Sequence, residues 1–313
     1  MIIVTGGAGF IGTNLVRSLI ESDKQILIVE ELDRYTKKFE NIKNLEILDC
    51  LDHNIFLKDL LNGKHLNKID QIFHLGACSK TTEPDRDYIM DVNLNYSKRL
   101  LEYSANNNID MIYASSASVY GGGTIFKEDP DNESSLNYYS ESKLLFDNYV
   151  RENMTKIKSQ IVGMRYFNVY GPYEQHKEVM SSVAYHFYNQ FKQHGMLKLF
   201  RGSHGYDDGE QRRDFVYVKD TIDIKLWFMQ NNYSGIFNVA TGNSRSFNDV
   251  ANAVINYFNS GYIEYINFPH GLEEQYQAFT EADMTNLRDI GYQKAATELE
   301  DGVASYLNFL DQN

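Results

Sequence analysis

Tyr139 and Lys143 lie at positions i and i+4, so a helix would place both side chains on one face. A tyrosine phenol has an ordinary pKa of about 10 and is a poor proton acceptor at neutral pH. An adjacent ammonium favours the phenolate and lowers the pKa of the phenol. The pair is therefore a candidate for proton transfer, although a surface tyrosine and lysine would show the same spacing.

A serine hydroxyl belongs to the same candidate site. Ser116 follows the predicted strand Met111–Ser115. At the end of a strand it is placed to donate a hydrogen bond to a reacting oxygen. What such a set of side chains can do depends on the cofactor that the chain holds.

A glycine-rich turn provides a site for that cofactor. Gly7, Gly9 and Gly12 have the G-x-G-x-x-G spacing, between the apolar run Met1–Thr5 and the amphipathic run Ile11–Ile20. Glycine permits a tight turn and a close approach of the backbone to a pyrophosphate, which the N–H groups at a helix start attract. The alternative is a tight strand-to-helix turn that holds no ligand.

An acid completes the fingerprint of a dinucleotide site. Glu30 follows the second predicted strand, Ile26–Val29, where a carboxylate can accept a hydrogen bond from the adenosine ribose. Strand, glycine turn, helix, strand and acid occur in the required order. The sequence therefore predicts redox chemistry on a bound nicotinamide, with Tyr139 and Lys143 as the proton-transfer pair.

Short β-branched runs alternate with helical patterns in the first half of the chain. This rhythm predicts an α/β fold with a doubly wound parallel sheet of the Rossmann type. Ligands of such sheets gather beyond the carboxyl ends of the strands. The predicted strands are Met1–Thr5, Ile26–Val29, Leu45–Leu48, Gln71–Leu75, Met111–Ser115 and Gln160–Arg165.

The composition changes after Gly171-Pro172 toward Tyr, His, Asn and Gly. We predict a nucleotide-binding domain over residues 1–170 and a smaller α/β substrate domain over 171–313. The runs Asp214–Val218 and Gly235–Ala240 look like strands, so we expect the chain to return to the first domain at about 214–242. Both domains would then be discontinuous.

Composition excludes several function classes. The 313 residues are 42% hydrophobic, which suffices for a sizeable core, and the net charge of −13 opposes binding to nucleic acid. No charged leader and no apolar stretch of membrane-spanning length is evident, so we expect a cytoplasmic protein that binds no membrane. The two cysteines predict no disulfide, and the histidines show no metal-ligand spacing, so we expect no metal.

These motifs together resemble the extended short-chain dehydrogenase/reductases, in the branch that modifies nucleotide sugars. The resemblance covers essentially the whole chain, and within that branch it is strongest to the epimerases of ADP-linked heptose. The motifs that make it specific lie outside the cofactor fingerprint. They are Ser116–Gly121, Gly76–Ser79, Arg165–Pro172, His176-Lys177, Arg213–Val218 and Tyr276–Thr280.

The resemblance implies a redox-neutral inversion at C6″ of ADP-D-glycero-β-D-manno-heptose, for the inner core of lipopolysaccharide. Tightly bound NADP would take a hydride from the sugar and return it to the other face. Two acid–base groups on opposite sides of the transient ketone serve such an inversion best. In the family they are the motif tyrosine and a downstream lysine, here Tyr139 and Lys177. Without the family, Lys177 would be taken for a solvated loop lysine or a phosphate contact.

The resemblance also assigns binding residues. Those expected to bind the cofactor are Gly6, Gly9, Phe10, Ile11, Gly12, Glu30, Glu31, Lys38, His53, Leu75, Gly76, Ala77, Cys78, Ser79, Asn93, Lys143, Val169 and Lys177. Those expected to bind the sugar nucleotide are Ser116, Asn168, Val179, His186, Phe200, Arg201, Gly202, Ser203, Arg213 and Tyr276. For Arg213 the alternative is a salt bridge with Asp214 or another carboxylate, and Phe200, His186 and Tyr276 could instead be core residues.

Two departures from the family pattern affect specificity. Carboxylates at Glu30 and Glu31 repel a 2′-phosphate and favour NAD, whereas the family commonly uses NADP with a nearby lysine. Lys38, beside Lys37 and Arg34, could supply that charge, so we expect NADP and keep NAD as possible. The loop 204–212 is longer and more acidic than the family's usual connection, which affects contacts near the diphosphate.

Other functions remain open at this point. A related dehydratase or reductase would use the same cofactor, but a dehydratase of this branch carries an acidic pair next to the serine, where this chain has Ala117 and Ser118. A sensor that binds NADP without turnover would be free to lose Tyr139, Lys143 or Lys177. The resemblance further implies a homo-oligomer, pentameric or larger.

Overall fold

The protein is described by a computed structural model. It describes residues 1–21, 24–32, 37–64, 69–273 and 276–313. The chain forms two compact units. The first comprises Met1–Gly123, Glu128–Tyr166 and Ile222–Phe237, and the second comprises Thr124–Lys127, Phe167–Thr221 and Asn238–Asn313. Both units are discontinuous. The first unit includes Ile222–Phe237, whereas the run Asp214–Val218, expected at the start of the return, belongs to the second unit.

The first unit is built on a sheet of seven strands, which confirms the predicted doubly wound α/β fold. In chain order its strands are β1 (Ile2–Thr5), β2 (Ile26–Glu30), β3 (Asp49–Asp52), β4 (Gln71–His74), β5 (Asp110–Ser116), β6 (Ile161–Tyr166) and, after four strands of the second unit, β11 (Gly235–Val239). Their order in the sheet is β11-β6-β5-β4-β1-β2-β3. All pairs from β3 to β6 are parallel, so Thr5, Glu30, His74 and Ser116 end their strands at one edge.

One strand prediction was wrong. The third strand is not Leu45–Leu48 but β3, Asp49–Asp52, which pairs with β2. The apolar run before it carries Leu48, which is 56% exposed. An edge strand packs on one side only, so pairing with a neighbour, rather than local hydrophobicity, decides where it runs.

Helices cover the sheet of the first unit. They are α1 (Phe10–Ile20), α2 (His53–Leu61), α3 (Arg86–Ile89), α4 (Tyr96–Asn107), α5 (Tyr138–Met154) and α7 (Val218–Gln230), with a π-helical segment at Met90–Asn95 and 3-10 turns at Lys37–Asn41, Ala117–Val119 and Pro130–Asn132. Helix α5 begins at a capping box, because Asn137 and Ser140 each accept from the other's backbone N–H. This cap fixes the first turn, which contains Tyr139.

The core of the first unit joins alternate side chains of the parallel strands to the inner faces of the helices. Its fully buried members include Ile3, Phe56, Ile72, Leu100, Met111 and Val150. Helix α5 contributes Phe146, which contacts Tyr113 of β5 edge to face at 4.8 Å between ring centroids. The reactive helix is thereby anchored to the strand that ends in Ser116.

The second unit has its own core and three short sheets. Its strands are β7 (Asn168–Tyr170) with β10 (Phe215–Tyr217), β8 (Met196–Phe200) with β13 (Tyr262–Ile266), and β9 (Arg212–Arg213) with β12 (Arg245–Ser246). Its helices are α6 (Val183–His194), α8 (Phe247–Phe258), α9 (Thr285–Asp289) and α10 (Leu299–Gln312), with a 3-10 segment at Gln175–Met180. Phe187, Leu197, Val254 and Tyr306 are buried in the core that joins them.

Candidate functional site

The glycine turn after β1 has the shape that a dinucleotide requires. Gly6 has φ of +70°, and a Cβ there would lie 2.6 Å from the backbone nitrogen of Gly76. A Cβ at Gly12 would overlap the carbonyl oxygen of Gly6, so α1 packs directly on the turn. The N-cap of α1 is Gly9, which has no side chain to occupy the N–H groups of the first turn. These groups fit a pyrophosphate.

Glu30 is held by donors from two neighbouring segments. Its Oε1 accepts from the backbone N–H of Ala8 at 2.9 Å, and its Oε2 accepts from the Lys38 ammonium at 2.9 Å. Glu30 is only 7% exposed, so the ion pair is partly shielded from water. The ammonium thus neutralises the carboxylate that would repel a 2′-phosphate. Arg34, predicted to assist Lys38, lies outside the described residues.

A cleft opens at the same edge of the sheet. The predicted cofactor residues that line it are Gly6, Glu30, Glu31, Lys38, His53, Gly76, Ala77 and Cys78. Five further lining residues were not predicted, namely Thr5, Val29, Tyr88, Val92 and Tyr96. Tyr96 and His53 lie with ring centroids 5.8 Å apart, which gives the cleft an aromatic wall. The sequence carried no motif for this wall, because its two members lie on separate helices, α2 and α4.

Asn93 connects the loop after β4 to the reactive helix. Its side chain accepts from the N–H of Cys78, donates to the carbonyl of Cys78, and donates to Ser142 Oγ of α5 at 3.1 Å. It lies in the π-helical segment, a local distortion that often accompanies functional sites. Leu75 donates its N–H to Thr5, and Ser79 is exposed. Asn93, predicted to bind the cofactor, thus holds the loop after β4 through hydrogen bonds.

The predicted pair lies on one face of α5. The Lys143 ammonium is 5.9 Å from the centroid of the Tyr139 ring and donates to the carbonyl oxygen of Ala114 at 2.9 Å. The Tyr139 phenol shares a hydrogen bond with the hydroxyl of Ser116. Lys143 is 5% exposed, and Tyr139 and Ser116 are half-buried. Tyrosine, lysine and serine are therefore together at the carboxyl end of β5, as a proton-transfer site requires.

Burial opposes the charged form of each member of this pair. Burial raises the pKa of Tyr139 above its ordinary value, against a lowering by the Ser116 hydrogen bond, and the Cys78 thiolate would raise it further. Burial also lowers the pKa of Lys143 to about 8, although Asp147 and Cys78 oppose this change. Loss of solvent acts on both groups against their charged forms. A phenolate at Tyr139 therefore needs further positive charge.

Lys177 lies in a loop of the second unit that a single carboxylate fastens. Glu174 is fully buried, and its side chain accepts from the backbone N–H of Gly171 at 3.2 Å and of Ser182 at 2.6 Å, at the two ends of the loop. The backbone N–H of Lys177 donates to the carbonyl of Glu174 at 2.9 Å. Burial lowers the pKa of the Lys177 ammonium, and Glu174 opposes this effect. Burial thus acts on Lys177 in the direction of the neutral amine, the form that a base requires.

The same loop contains strained backbone next to the lysine. Glu178 has φ of +52° and Tyr173 has φ of +73°, values that disfavour residues with a Cβ. Val179 follows with 85% of its side chain exposed, and its carbonyl lies 3.3 Å from His186 Nε2. Such strain persists where the surrounding contacts hold it.

A second cleft, wholly within the second unit, gathers several predicted substrate residues. His186, Phe200 and Tyr276 line it together with Val183, Phe187, Gln190, Lys198, Leu199, Gln211 and Phe247. The Phe200 and Tyr276 rings lie 6.1 Å apart, edge to face. A cleft with aromatic walls suits the flat base of a nucleotide. Phe247 and Gln211 were not predicted for this cleft.

Arg213 is positioned by aromatic rings rather than by an acid. Its guanidinium lies 5.1 Å from the Tyr276 ring centroid and 5.7 Å from that of Phe247, and one of its nitrogens donates to the carbonyl of Arg212. The carboxylate of Asp214 instead accepts from Thr241, Gly242 and Ala282. The alternative of an Arg213–Asp214 salt bridge is therefore not what the structure has. Remaining guanidinium donors suit a phosphate.

The segment Arg201–Ser203 lines a shallow depression with residues of the long loop that follows it, Gly205–Asp208. Gln211 donates to the carbonyl of Arg201 and to Ser203 Oγ, and Asp208 accepts from the N–H of Gly202 at 2.7 Å. Thus the acidic loop holds the predicted segment. Asn168 and Val169 lie on β7, where they pair with Phe215 and Val216 of β10.

No cluster of three metal-ligating side chains occurs within the described ranges. The helices of those ranges include none that is long and apolar enough to cross a bilayer. Cys50 and Cys78 are unpaired thiols, both half-buried.

Comparison with known proteins decides the family. The sequence model of the NAD dependent epimerase/dehydratase family matches residues 2–240. The chain belongs to this family. It is also 47% identical over 310 residues to the ADP-L-glycero-D-manno-heptose-6-epimerase of Alkalilimnicola ehrlichii, covering 98% of this chain and 97% of the relative. These matches confirm the resemblance seen in the motifs.

Solved structures of this family have the same fold. The ADP-L-glycero-D-manno-heptose-6-epimerase of Helicobacter pylori aligns with a TM-score of 0.85 and 30% identity, covering 99% of this chain and 96% of that one. UDP-N-acetylglucosamine 4-epimerase of Methanobrevibacter ruminantium, in complex with UDP-N-acetylmuramic acid, aligns with a TM-score of 0.85 and 26% identity over 100% and 98% of the two chains. A nicotinamide cofactor follows from the family.

Proposed function

We propose that this family member is an isomerase that inverts C6″ of ADP-D-glycero-β-D-manno-heptose. The observation that carries the proposal is the 47% identity to a heptose epimerase over 98% of the chain. Tyr139, Lys143 and Ser116 lie together with the geometry of a proton-transfer site. The aromatic cleft of the second unit, with Arg213 beside it, suits an ADP group.

The first half of the reaction removes a proton from the C6″ hydroxyl. Bound nicotinamide supplies reversible hydride transfer, and its positive charge in the oxidised form favours the phenolate. Tyr139 takes the hydroxyl proton, while Ser116 donates a hydrogen bond to the same sugar oxygen as it becomes a ketone. The Lys143 ammonium stabilises the phenolate from the same face of α5.

The second half requires an acid on the other side of the ketone, and we assign it to Lys177. In this direction the Lys177 ammonium donates the proton, and in the reverse direction the amine accepts one; burial lowers the pKa of the group. Glu174 and the strained backbone at Glu178 support a fixed position for the amine. Arg213 and Tyr276 hold the nucleotide while the sugar turns.

The proposed cofactor is NADP rather than NAD. Lys38 neutralises Glu30, and His53 lines the same cleft. Lys38 retains two further donors for a 2′-phosphate, because an ammonium carries three.

Replacing Lys38 by alanine is expected to weaken the binding of NADP and to leave the binding of NAD nearly unchanged. Loss of a hydrogen bond to a charged group costs about 1.5–3 kcal/mol, so the Kd for NADP should rise by about 10- to 100-fold. The Kd for NAD should change by less than about threefold, since NAD has no 2′-phosphate. Titration calorimetry with both cofactors measures this, with Lys37→Ala as control because Lys37 is an exposed neighbour. Equal weakening of both cofactors would limit Lys38 to holding Glu30.

The proposed activity is tested without added cofactor. The purified protein is incubated with ADP-D-glycero-β-D-manno-heptose, and the configuration at C6″ is followed by NMR. Inversion without net reduction of NADP is expected, because a redox-neutral cycle regenerates its cofactor. An untouched heptose, with conversion of a different nucleotide sugar, would favour another epimerase or a dehydratase. Binding of NADP with no conversion would favour a sensor.

A further inference from the structure

A buried ionic cluster lies directly behind the reactive pair of the first unit. Asp147 follows Lys143 by one turn of α5 and is fully buried. Its Oδ1 accepts from the Tyr113 hydroxyl at 2.9 Å, and its Oδ2 accepts from Ser115 Oγ at 2.9 Å and from Arg165 Nε at 2.9 Å. The carboxylate therefore joins α5 to two neighbouring strands, β5 and β6.

The contacts of Asp147 reach both partners of the catalytic pair. Ser115 lies between Ala114 and Ser116 in the chain. The carbonyl of Ala114 accepts a hydrogen bond from the Lys143 ammonium, and the hydroxyl of Ser116 shares a hydrogen bond with the Tyr139 phenol. A bond that fixes Ser115 thus fixes the residues on both sides of it. The cluster sets where β5 ends relative to α5.

Two arginines and a second carboxylate complete the cluster on the side of Asp147 away from Lys143. Arg165 is fully buried and also pairs with Glu133 at 2.7 Å, and Glu133 in turn accepts from Arg151. A buried ion cluster costs desolvation energy that hydrophobic residues of similar size would avoid. Retaining it next to a reactive lysine suggests a role beyond packing.

We propose that Asp147 is a positioning residue, which holds the end of β5 and supplies the counter-charge that keeps the Lys143 ammonium beside Tyr139. This inference rests on the proposed role of Tyr139 and Lys143. Asp147 itself touches neither substrate nor cofactor in this scheme. It acts through Ser115 and through its charge.

Among the titratable groups that face Lys143, we assign the role of counter-charge to Asp147. On α5 they are Tyr139 and Asp147, on β4 His74, and after β4 Cys78. Burial, assisted by the Lys143 charge, lowers the pKa of His74 to about 3, so His74 is neutral, and it is bonded to Thr5 and Ser97. Behind Asp147 lie Tyr113, Arg165, Glu133 and Arg151, already paired with one another or with Asp147.

Asp147→Asn tests the charge with little change in shape. Without the carboxylate the pKa of Lys143 falls below its present value of about 8, so the ammonium is lost at lower pH. The basic limb of the kcat profile should move to lower pH by about one unit, and kcat at neutral pH should fall about tenfold or more. Asp147→Glu, which restores the charge, should restore the position of the limb.

The control for this variant is Asp110→Asn. Asp110 begins the same strand and accepts from the N–H of Gln160, far along β5 from Ser116. The basic limb of its kcat profile should keep its pH position, and its kcat should stay within about twofold of that of the parent enzyme. A folded Asp147→Asn protein with an unmoved basic limb would overturn the proposal, since a merely structural residue changes rate or stability without moving a pKa.

A milder variant decides the matter if Asp147→Asn does not fold. Ser115→Ala removes one hydrogen bond to Asp147 and should lower kcat about threefold or more with KM unchanged, since only the reacting groups are displaced. Ser104→Ala, which alters an equally buried serine of the same core, should change neither constant. An unchanged kcat in Ser115→Ala would contradict the proposal.

Carbon NMR of labelled tyrosine separates this inference from the proposed function. It gives the pKa of Tyr139 in the NADP complex, with Tyr139→Phe to assign the signal. Asp147→Asn should raise that pKa even if ADP-heptose is not the substrate. An unchanged Tyr139 pKa together with normal epimerisation would refute the role of Asp147 and leave the proposed function intact.

Discussion

Replacing Tyr139 by phenylalanine is expected to abolish most epimerisation while the protein still binds NADP. The variant loses only the phenolic oxygen, which as the phenolate accepts the proton of the C6″ hydroxyl in the proposed mechanism. General acid–base catalysis contributes roughly 10²- to 10⁴-fold, so kcat should fall by that factor. Binding of NADP should change little, because Tyr139 does not line the cleft that we propose for the cofactor. NMR assays and cofactor titration measure the two effects.

The neighbouring tyrosine provides a matched control. Tyr138 stands at the start of the same helix and is 42% exposed. Tyr138→Phe removes the same atom from a solvent-facing position, and its kcat should equal that of the parent enzyme. If Tyr139→Phe retained more than a tenth of the activity, the proton would have to leave by another group.

Replacing Lys177 by methionine is expected to have an effect of similar size. Methionine keeps the length of the apolar stem and removes the amine that, in the proposed mechanism, protonates the ketone oxygen from one side. We expect kcat to fall by about 10²- to 10⁴-fold, since inversion requires an acid–base group on each face. Each single variant keeps one group, so one of the two epimers should still reduce bound cofactor in a single turnover. Ultraviolet absorbance of the reduced nicotinamide detects this.

Lys192→Met is the control for that variant. Lys192 of α6 is an exposed lysine of the second unit, paired with Asp311 at 3.0 Å. Lys192→Met removes an ammonium of ordinary environment, and epimerisation should continue at the parent rate. Full activity in Lys177→Met would remove Lys177 from the mechanism, and one acid–base group would then have to serve both faces.

The sequence predicted the parts of the site whose signals are local. The glycine spacing and the i, i+4 spacing of Tyr139 and Lys143 each report on one turn or one helix, and the structure has both. The third strand, predicted at Leu45–Leu48, was wrong because its position depends on pairing with β2. The assignments of individual residues to cofactor and substrate remain predictions.

Interactions between distant segments could not be predicted in this way. Asp147 stands one turn beyond Lys143, a spacing that the sequence displays, but its partner Arg165 is on another element. The burial that raises the pKa of Tyr139 could not be predicted for the same reason, since it depends on every segment that covers the phenol. Glu174 was missed because it looks like any acidic loop residue until Gly171 and Ser182 are brought to it.

Glu174 has a consequence for how this loop could be moved between proteins. Its hydrogen bonds to Gly171 and Ser182 join the two ends of the segment 171–182, and Lys177 lies between those ends and bonds to the carbonyl of Glu174. The segment therefore contains the contacts that fix its own conformation. If the whole segment is transferred to a related protein that can bury the carboxylate, we expect Lys177 to keep its orientation. Transfer of Lys177 alone would not keep it.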